Sequence, residues 1–212
     1  MNGAELKTMC ESILDDTVDD VLFYQLLNVA KNTVEDERPW MYLRALDSTK
    51  SSTTGTNLVL DLPDSWRRTY KLLVGPDTLF IQVPFDEQHL YRFSSNRFFI
   101  DVANEQYKLL GSLGSADTIY HYYIKATDDI EATTSPTMPS RFHALLAFVV
   151  AGYVMMGTDA DDIYARMSPE NKIMAQTVKV SMQSWDMQLQ IDAQNGQIGV
   201  SPTETGIDLG NM

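Results

Sequence analysis

The feature that most constrains the fold is an apolar run from Phe142 to Gly157, FHALLAFVVAGYVMMG. It contains no acid, no lysine and no arginine, and its only polar side chains are those of His143 and Tyr153. A membrane-spanning helix needs about 20 predominantly apolar residues, and this run is shorter, with Asp159 just beyond its end. A helix that is apolar on every side is typical of a central element covered by its neighbours. The run therefore predicts the hub helix of a soluble helical bundle, with no membrane partner.

Two amphipathic helices are predicted near the N terminus, before Pro39, a residue that ends or restarts a helix. Each shows apolar residues at helical spacing, which favours burial of one stripe per helix. The apolar positions are Leu6, Met9 and Ile13 in the first helix and Leu22, Leu26 and Val29 in the second.

The last helix is the clearest element of the sequence. Ser168 suits a helix cap and Pro169 suits the first helical turn. Apolar and polar residues then follow on two separate stripes, which is typical of a long amphipathic helix with one buried face. The expected packing stripe is Met174, Val178, Met182, Trp185 and Leu189, and the expected polar stripe is Lys172, Gln176, Lys179, Gln183, Asp186 and Gln190.

Between the helices, the chain alternates short apolar runs with turn signals such as Gly75-Pro76-Asp77. This pattern is typical of strands joined by turns, and it predicts a mostly antiparallel sheet over residues 48–126. The predicted strands lie in the runs NLVLDL, RTYKLLV, TLFIQV, RFFIDV, QYKLLG and TIYHYYIKA.

Together these patterns predict an α+β fold: a helical bundle with an inserted small antiparallel β-sheet and a long amphipathic C-terminal helix followed by an extended tail. We assign residues 1–47 and 127–193 to the bundle, 48–126 to the inserted sheet region and 194–212 to the tail. The tail carries four glycines and a proline, with spaced apolar residues at Ile198, Val200, Ile207 and Leu209. Two interpretations stay open: a segment that orders on a partner, and an end with no role.

The formal net charge of −13 argues against a nucleic-acid-binding surface, because such surfaces normally carry a basic patch. Arg67-Arg68 is the one adjacent basic pair. The single Cys10 excludes an internal disulfide and a cysteine-based metal cluster.

No catalytic or metal-binding motif stands out. His89, His121 and His143 are isolated from one another, and no HExxH, phosphate-binding loop or nucleophile elbow occurs. A structural or surface role is the expected one for each histidine. The sequence therefore predicts a protein that is not an enzyme and uses no cofactor and no metal.

The order of segments resembles that of the head-to-tail adaptor (connector) proteins of tailed bacteriophages. The similarity lies in a strand pair, a tyrosine-rich strand, an acidic linker with prolines, an apolar helix and a capped last helix. The segments that carry it are YRFSSNRFFIDVANEQYKLLG, TIYHYYIKATDDI and SPTMPSRFHALLAFVVAGYVMMGTDADDIYARMSPENKIMAQ. Together with the N-terminal helical pair, the similarity covers residues 1–193.

This resemblance implies a structural virion protein located in the neck of the particle. Such adaptors form a ring, usually of twelve subunits, below the portal protein and above the next neck or tail protein. They continue the DNA channel, through which DNA passes without specific binding. The resemblance also implies that the C-terminal tail docks on the portal, which would give Ile198, Val200, Ile207 and Leu209 a role.

Two alternatives remain open beside the adaptor. One is another ring protein of the phage tail, such as a tail terminator or a tail-tubular protein, for which a fold dominated by β-structure would be expected. The other is a small soluble enzyme. A pocket with His89 or His121 beside two carboxylates would favour the enzyme.

Overall fold

The structure is a computed structural model, and it describes residues 1–52, 55–56, 58–91, 94–113, 117–156 and 164–194. These residues divide into two compact units. We call residues 1–42 with 127–194 the helical unit, and residues 43–126 the sheet unit.

The described part of the helical unit contains four α-helices. They are α1 (Gly3–Leu14), α2 (Asp20–Asp36), α3 (Ala144–Met156) and α4 (Pro169–Gln194). Every residue of α3 from 145 to 152 is buried, and α3 packs against α1, α2 and α4. A helix that is apolar on every side is stable in water only when neighbouring elements cover it on several sides. α3 is therefore the central helix of this unit.

The buried face of α2 is not the one that the sequence predicts. Leu22 and Val29 are each 46% exposed, so the predicted stripe is wrong. The α2 residues buried in the core are Phe23, Leu27, Ala30 and Val34. Both stripes have helical spacing, and periodicity alone does not decide between two neighbouring apolar faces.

The start of α1 is held by the segment that links the sheet unit to α3. The backbone N–H groups of Gly3 and Ala4 donate to the carbonyls of Thr134 and Ala132, which satisfies amides that a helix leaves unpaired in its first turn. A Cβ atom at Gly3 would overlap the carbonyl oxygen of Glu131. Glycine is therefore needed here because the two backbones approach so closely.

The sheet unit is built on a seven-stranded sheet that curls into a half-barrel. Its strands are β1 (Arg44–Asp47), β3 (Val59–Asp61), β4 (Trp66–Val74), β5 (Thr78–Gln82), β6 (Arg97–Asp101), β7 (Gln106–Leu110) and β9 (Ile119–Lys125). Their order is β1-β9-β4-β5-β6-β7-β3, and all neighbours are antiparallel except β5 and β6. A separate pair joins β2 (Gly55–Thr56) to β8 (Ser112–Leu113).

The predicted fold class, a helical bundle with a small inserted antiparallel sheet, is wrong. The protein is a mixed α/β structure with a seven-stranded sheet and, among the described residues, four α-helices. Two features account for the error. The first strand, Arg44–Asp47, lies in a stretch assigned to the bundle, and its partner β9 is far away in sequence. The connection from β5 to β6 spans residues 83–96, long enough for the crossover that parallel strands require.

One face of this sheet carries the main core of the unit. Leu72, Phe80, Leu109 and Ile119 are almost completely buried there. The turn between β4 and β5 places Gly75 at a φ of 66°, a left-handed conformation that glycine adopts without strain. One face of the sheet therefore carries the core of the unit, and part of the opposite face is uncovered.

Candidate functional site

The longest helix, α4, has a second apolar stripe that no described residue covers. Ile173 is 63% exposed, Val180 59% and Met187 54%. Further positions extend the stripe at alternating spacings of four and three residues, which keeps them on one side of a helix. We call it the α4 outer face: Ile173, Thr177, Val180, Ser184, Met187 and Ile191.

The predicted packing stripe of α4 overlaps only in part with the residues that are buried in the structure. Met182 and Leu189 are buried, Val178 and Trp185 are half-buried, and Met174 is 52% exposed. The observed buried residues are Ala175, Met182, Asp186 and Leu189. Asp186, which the sequence predicts on the polar stripe, is therefore a core residue. An aspartate in a core stripe is hard to recognise from sequence because its burial depends on its partners.

Asp186 sets which side of α4 faces the unit. Its Oδ1 accepts a hydrogen bond from the backbone N–H of Met41 at 2.6 Å, and its Oδ2 accepts one from Gln190 Nε2 at 2.7 Å. The guanidinium of Arg38 lies 3.9 Å from Oδ2. A buried carboxylate is tolerated only with such partners. This arrangement holds α4 with its outer face turned outward.

The α4 outer face contains no charged side chain, and the structure describes all six of its residues. Lys179, which is half-buried, pairs with Glu37 at 2.6 Å, and Asp192 accepts a hydrogen bond from Gln188. A protein with a net charge of −13 normally presents charge to water. An uncharged, partly apolar helix face of this length has the composition of a protein interface.

A second surface lies on the sheet unit, where two cations stack on two tyrosine rings. Arg44 lies 5.4 Å from the ring centre of Tyr70, and Lys71 lies 5.5 Å from that of Tyr122. The two ring centres are 6.0 Å apart. Cations at these distances are attracted to the ring faces, so the four side chains form one ladder.

Cross-strand register adds aliphatic residues to this ladder. Leu73 of β4 lies opposite both Leu79 of β5 and Tyr120 of β9, and side chains directly opposite share a face. Leu79 and Ile81 are each 50% exposed. We call this surface the cationic sheet face: Arg44, Tyr70, Lys71, Leu73, Leu79, Ile81, Tyr120 and Tyr122. The strands β1, β9, β4 and β5, all described in full, place no acidic residue on it.

A third surface consists of the turn between α1 and α2 and the first residues of α2; we call residues 15–22 the acidic turn. Asp15, Asp16, Asp19 and Asp20 are exposed there, beside Val21 at 66% and Leu22 at 46%. The turn is held in place by hydrogen bonds from Val18 N–H to Glu11, from Thr17 N–H to Asp16 and from Leu22 N–H to Asp19. It therefore presents carboxylates and aliphatic side chains in a fixed arrangement.

His121 lies in the sheet core and not in an open pocket. It is 1% exposed, its Nε2 lies 2.7 Å from Thr69 Oγ1, and its ring contacts Tyr107 and Tyr123. Burial lowers the pKa of His121 to about 4; Asp47 opposes this shift and Lys50 adds to it. Nδ1 has no hydrogen-bond partner among the described residues. The ring is thus a neutral core group near pH 7.

The remaining histidines and the cysteine are far less unusual. His89 is exposed in a short 3-10 helix, and His143 is buried with Nε2 2.8 Å from the Met138 carbonyl oxygen. Burial raises the pKa of Cys10 to about 12, so its thiol is unreactive near neutral pH. Within the described ranges, no three His, Cys, Asp or Glu side chains come together as metal ligands.

Two cavities of about 210 Å³ each open on the sheet unit. One is lined by Leu62, Trp66 and Glu105 among others, and the other by Phe85, Asp101 and Tyr107 among others. Ligand sites usually measure about 300–1,000 Å³. Neither cavity contains a histidine, so neither provides the pocket that would favour the enzyme alternative.

The predicted portal-docking residues Ile198, Val200, Ile207 and Leu209 lie outside the described residues. No protein-family model and no curated protein matches the chain. Among the residues that the structure describes, no helix combines the length and apolar character needed to cross a bilayer.

None of these three surfaces was predicted from the sequence as a binding surface. The α4 outer face does have a sequence signal: apolar residues recur at spacings of seven, seven and four, at Ile173, Val180, Met187 and Ile191. The same helix carries a second apolar stripe, and the sequence does not indicate which of the two is buried. The cationic sheet face depends on the pairing of β1 with β9, which no local pattern encodes.

Proposed function

We propose that this protein is a head-to-tail adaptor of a tailed bacteriophage, a structural virion protein. Twelve copies form a ring in the neck, between the portal protein and the next neck or tail protein. The ring continues the channel through which DNA passes. The proposal joins the resemblance described above to one structural observation, the α4 outer face.

The α4 outer face supports assembly with further copies of the same chain. Two molecules that each carry a net charge of −13 repel one another, and this repulsion is smallest where the facing surfaces are uncharged. Thr177 and Ser184 are small enough to let a neighbouring helix approach closely, and the apolar side chains between them exclude water. In a closed ring each copy repeats such a contact with both neighbours.

The acidic surface suits the proposed channel. Nucleic acid binds tightly when basic side chains neutralise its phosphates, whereas exposed carboxylates disfavour adhesion. A ring with this charge allows DNA to pass without specific binding. The proposed position of the protein is the virion neck, with assembly in the host cytoplasm.

The first experiment is native mass analysis of the chain mixed with the portal ring encoded by the same genome. We expect added mass that corresponds to about one copy per portal subunit. A portal that stays bare while its own assembly is intact would contradict the adaptor role and favour a ring protein of the tail.

A matched pair of variants tests the α4 outer face. Val180→Asp places a charge on the stripe, and we expect ring formation to fall by at least tenfold. Ser181→Asp adds the same charge one residue further along, off the stripe, and is the control. Equal ring formation by both variants would show that the stripe is not the contact.

The C-terminal tail is proposed to dock on the portal through Ile198, Val200, Ile207 and Leu209. Truncation after Gln194 should leave a folded protein, with an unchanged circular dichroism spectrum, that no longer stays on the portal. Undiminished affinity of the truncated chain would refute this role of the tail.

A further inference from the structure

The net charge of the chain is distributed very unevenly. Residues 43–126 contain nine basic and nine acidic residues, whereas the rest of the chain contains seven basic and twenty acidic residues. The entire excess of negative charge therefore lies outside the sheet unit. Within the sheet unit, the cationic sheet face is locally positive because its strands place no acid there.

We infer that the cationic sheet face of one copy binds the acidic turn of a neighbouring copy. Its occupant is thus a second copy of this chain. The inference rests on the proposed ring, since it names one of the contacts that would hold neighbouring subunits together.

The chemistry of the two surfaces is complementary in two respects. The first is charge: Lys71 is exposed on a strand face that bears no carboxylate, while Asp15, Asp16 and Asp19 form no ion pair with any described cation. Opposite potentials of this kind steer two surfaces together and disfavour wrong partners.

The aliphatic parts of the two surfaces match as well. Leu79 and Ile81 are half-exposed on the sheet face, and Val21 and Leu22 are exposed at the end of the acidic turn. Burial of these side chains against each other removes apolar surface from water, which favours association by roughly 25 cal/mol per Å² before the costs of binding.

Each surface has contacts of its own that favour one arrangement before binding, which lowers the entropy lost on binding. The rings of Tyr70 and Tyr122 each contact a cation of the same surface. In the acidic turn, backbone N–H groups donate to the carboxylates of Glu11, Asp16 and Asp19. Because the surfaces are different, the contact is head-to-tail, and such a contact gives a ring when the rotation between neighbouring copies closes.

A single-stranded nucleic acid is the competing occupant, because cations and aromatic rings also bind bases and phosphates. Two observations favour the protein partner. The cations that stack on Tyr70 and Tyr122 limit access of bases to the rings. The chain as a whole also repels a polyanion through its charge of −13.

The test is a charge swap measured by sedimentation velocity of the chain alone and by loading on the portal. Lys71→Glu should weaken association between copies by about tenfold. Asp15→Lys should weaken it similarly, and the Asp15 carboxylate accepts none of the hydrogen bonds that hold the acidic turn. The two changes in one chain should restore it, because the introduced carboxylate of one copy then faces the introduced ammonium group of the next. Lys125→Glu is the control, since Lys125 lies opposite Trp66 on the other face of the same sheet.

Association of the Lys71→Glu variant at wild-type strength overturns the inference, even if the portal is fully loaded and the adaptor role stands. A charge-swap pattern in the free chain with a bare portal supports the inference and contradicts the adaptor role. Wild-type chains that show no association with one another, either alone or on the portal, overturn the inference. Binding of a fluorescent single-stranded oligonucleotide that is lost in Lys71→Glu also overturns it, in favour of a nucleic-acid surface.

Discussion

The charged side chains buried in the helical unit and the histidine buried in the sheet unit are stabilised in different ways. In the helical unit, the buried Lys31 donates to the carbonyl oxygens of Thr127 and Asp128, and Asp186 accepts two hydrogen bonds. In the sheet unit, the buried His121 Nδ1 and the Tyr107 hydroxyl have no partner among the described residues.

This difference teaches where each unit is sensitive to change. A buried charge with partners costs little while its partners remain but becomes expensive when one is removed. A buried neutral histidine is tolerated until acid protonates it. We therefore expect the helical unit to respond most to substitution of partners and the sheet unit to respond most to pH.

The largest expected effect is that of Asp186→Ala in the helical unit. It leaves the Met41 N–H and the Gln190 amide without their acceptor, and we expect the free energy of unfolding to fall by about 3 kcal/mol. Urea unfolding followed by Trp40 and Trp185 fluorescence, in a Trp66→Phe background, reports this unit. Asp192→Ala, on the same helix and partly exposed, should cost under about 0.5 kcal/mol. If both substitutions lowered the free energy of unfolding by the same amount, the hydrogen bonds of the buried Asp186 would not be the reason for its effect.

Acid is expected to act on the sheet unit through His121. Its pKa lies near 4 in the folded chain, whereas the ordinary pKa of a free histidine side chain is 6.5. Above pH 6.5 neither state binds the proton; as the pH falls from 6.5 to 4, only the unfolded chain does. The free energy of unfolding should therefore fall by about 3 kcal/mol across this window.

Urea unfolding at several pH values measures this loss through Trp66, in a background where Trp40 and Trp185 are replaced by phenylalanine. His121→Phe keeps a ring between Tyr107 and Tyr123 and should flatten the pH dependence, whereas the exposed His89→Gln should retain it. A wild-type profile that is already flat in this window would mean that His121 is not desolvated.

Gly3→Ala tests the close approach of backbones in the helical unit. The added methyl group would overlap the Glu131 carbonyl oxygen, and relief of such overlap typically costs about 2 kcal/mol. Thermal unfolding should show a lower midpoint, although alanine is the better helix former. An unchanged midpoint would indicate that the linker moves freely away from α1.

Gly75→Ala is the corresponding, smaller test in the sheet unit. A Cβ atom there meets nothing closer than 3.6 Å, but the φ of 66° disfavours alanine, at a cost of about 1 kcal/mol. Gly75→Asn should cost less because asparagine tolerates this conformation. If alanine and asparagine were equally tolerated, backbone strain would not be the reason for glycine at this turn.

Local patterns predicted local structure well. The runs RTYKLLV, TLFIQV, RFFIDV and TIYHYYIKA form β4, β5, β6 and β9, and the turn at Gly75 joins the first two. The apolar helix is central in its unit for the reason that its composition predicts. Alternation and turn residues report on neighbours within a few positions, so these elements are accessible from sequence.

What the sequence could not provide depends on distant partners. The pairing of β1 with β9 and the parallel pairing of β5 with β6 have no local signature. Leu22 and Ile173 lie on apolar stripes that periodicity treats like buried ones, yet both are exposed. The α4 outer face was missed for this reason. When a helix has two apolar faces, its sequence does not indicate which of them packs against the rest of the chain.

The pairing of β1 with β9 also governs when the protein folds during synthesis. β1 and β4 both pair with β9, so neither has this partner until residue 125 has left the ribosome. In the same way, α1 and α2 cannot pack against α3 until α3 has been synthesised. At about 5–20 residues per second, the interval from β1 to β9 lasts roughly 4–16 seconds. Throughout that interval the nascent chain displays unpaired strands, so its yield in a cell should depend on chaperones that shield them.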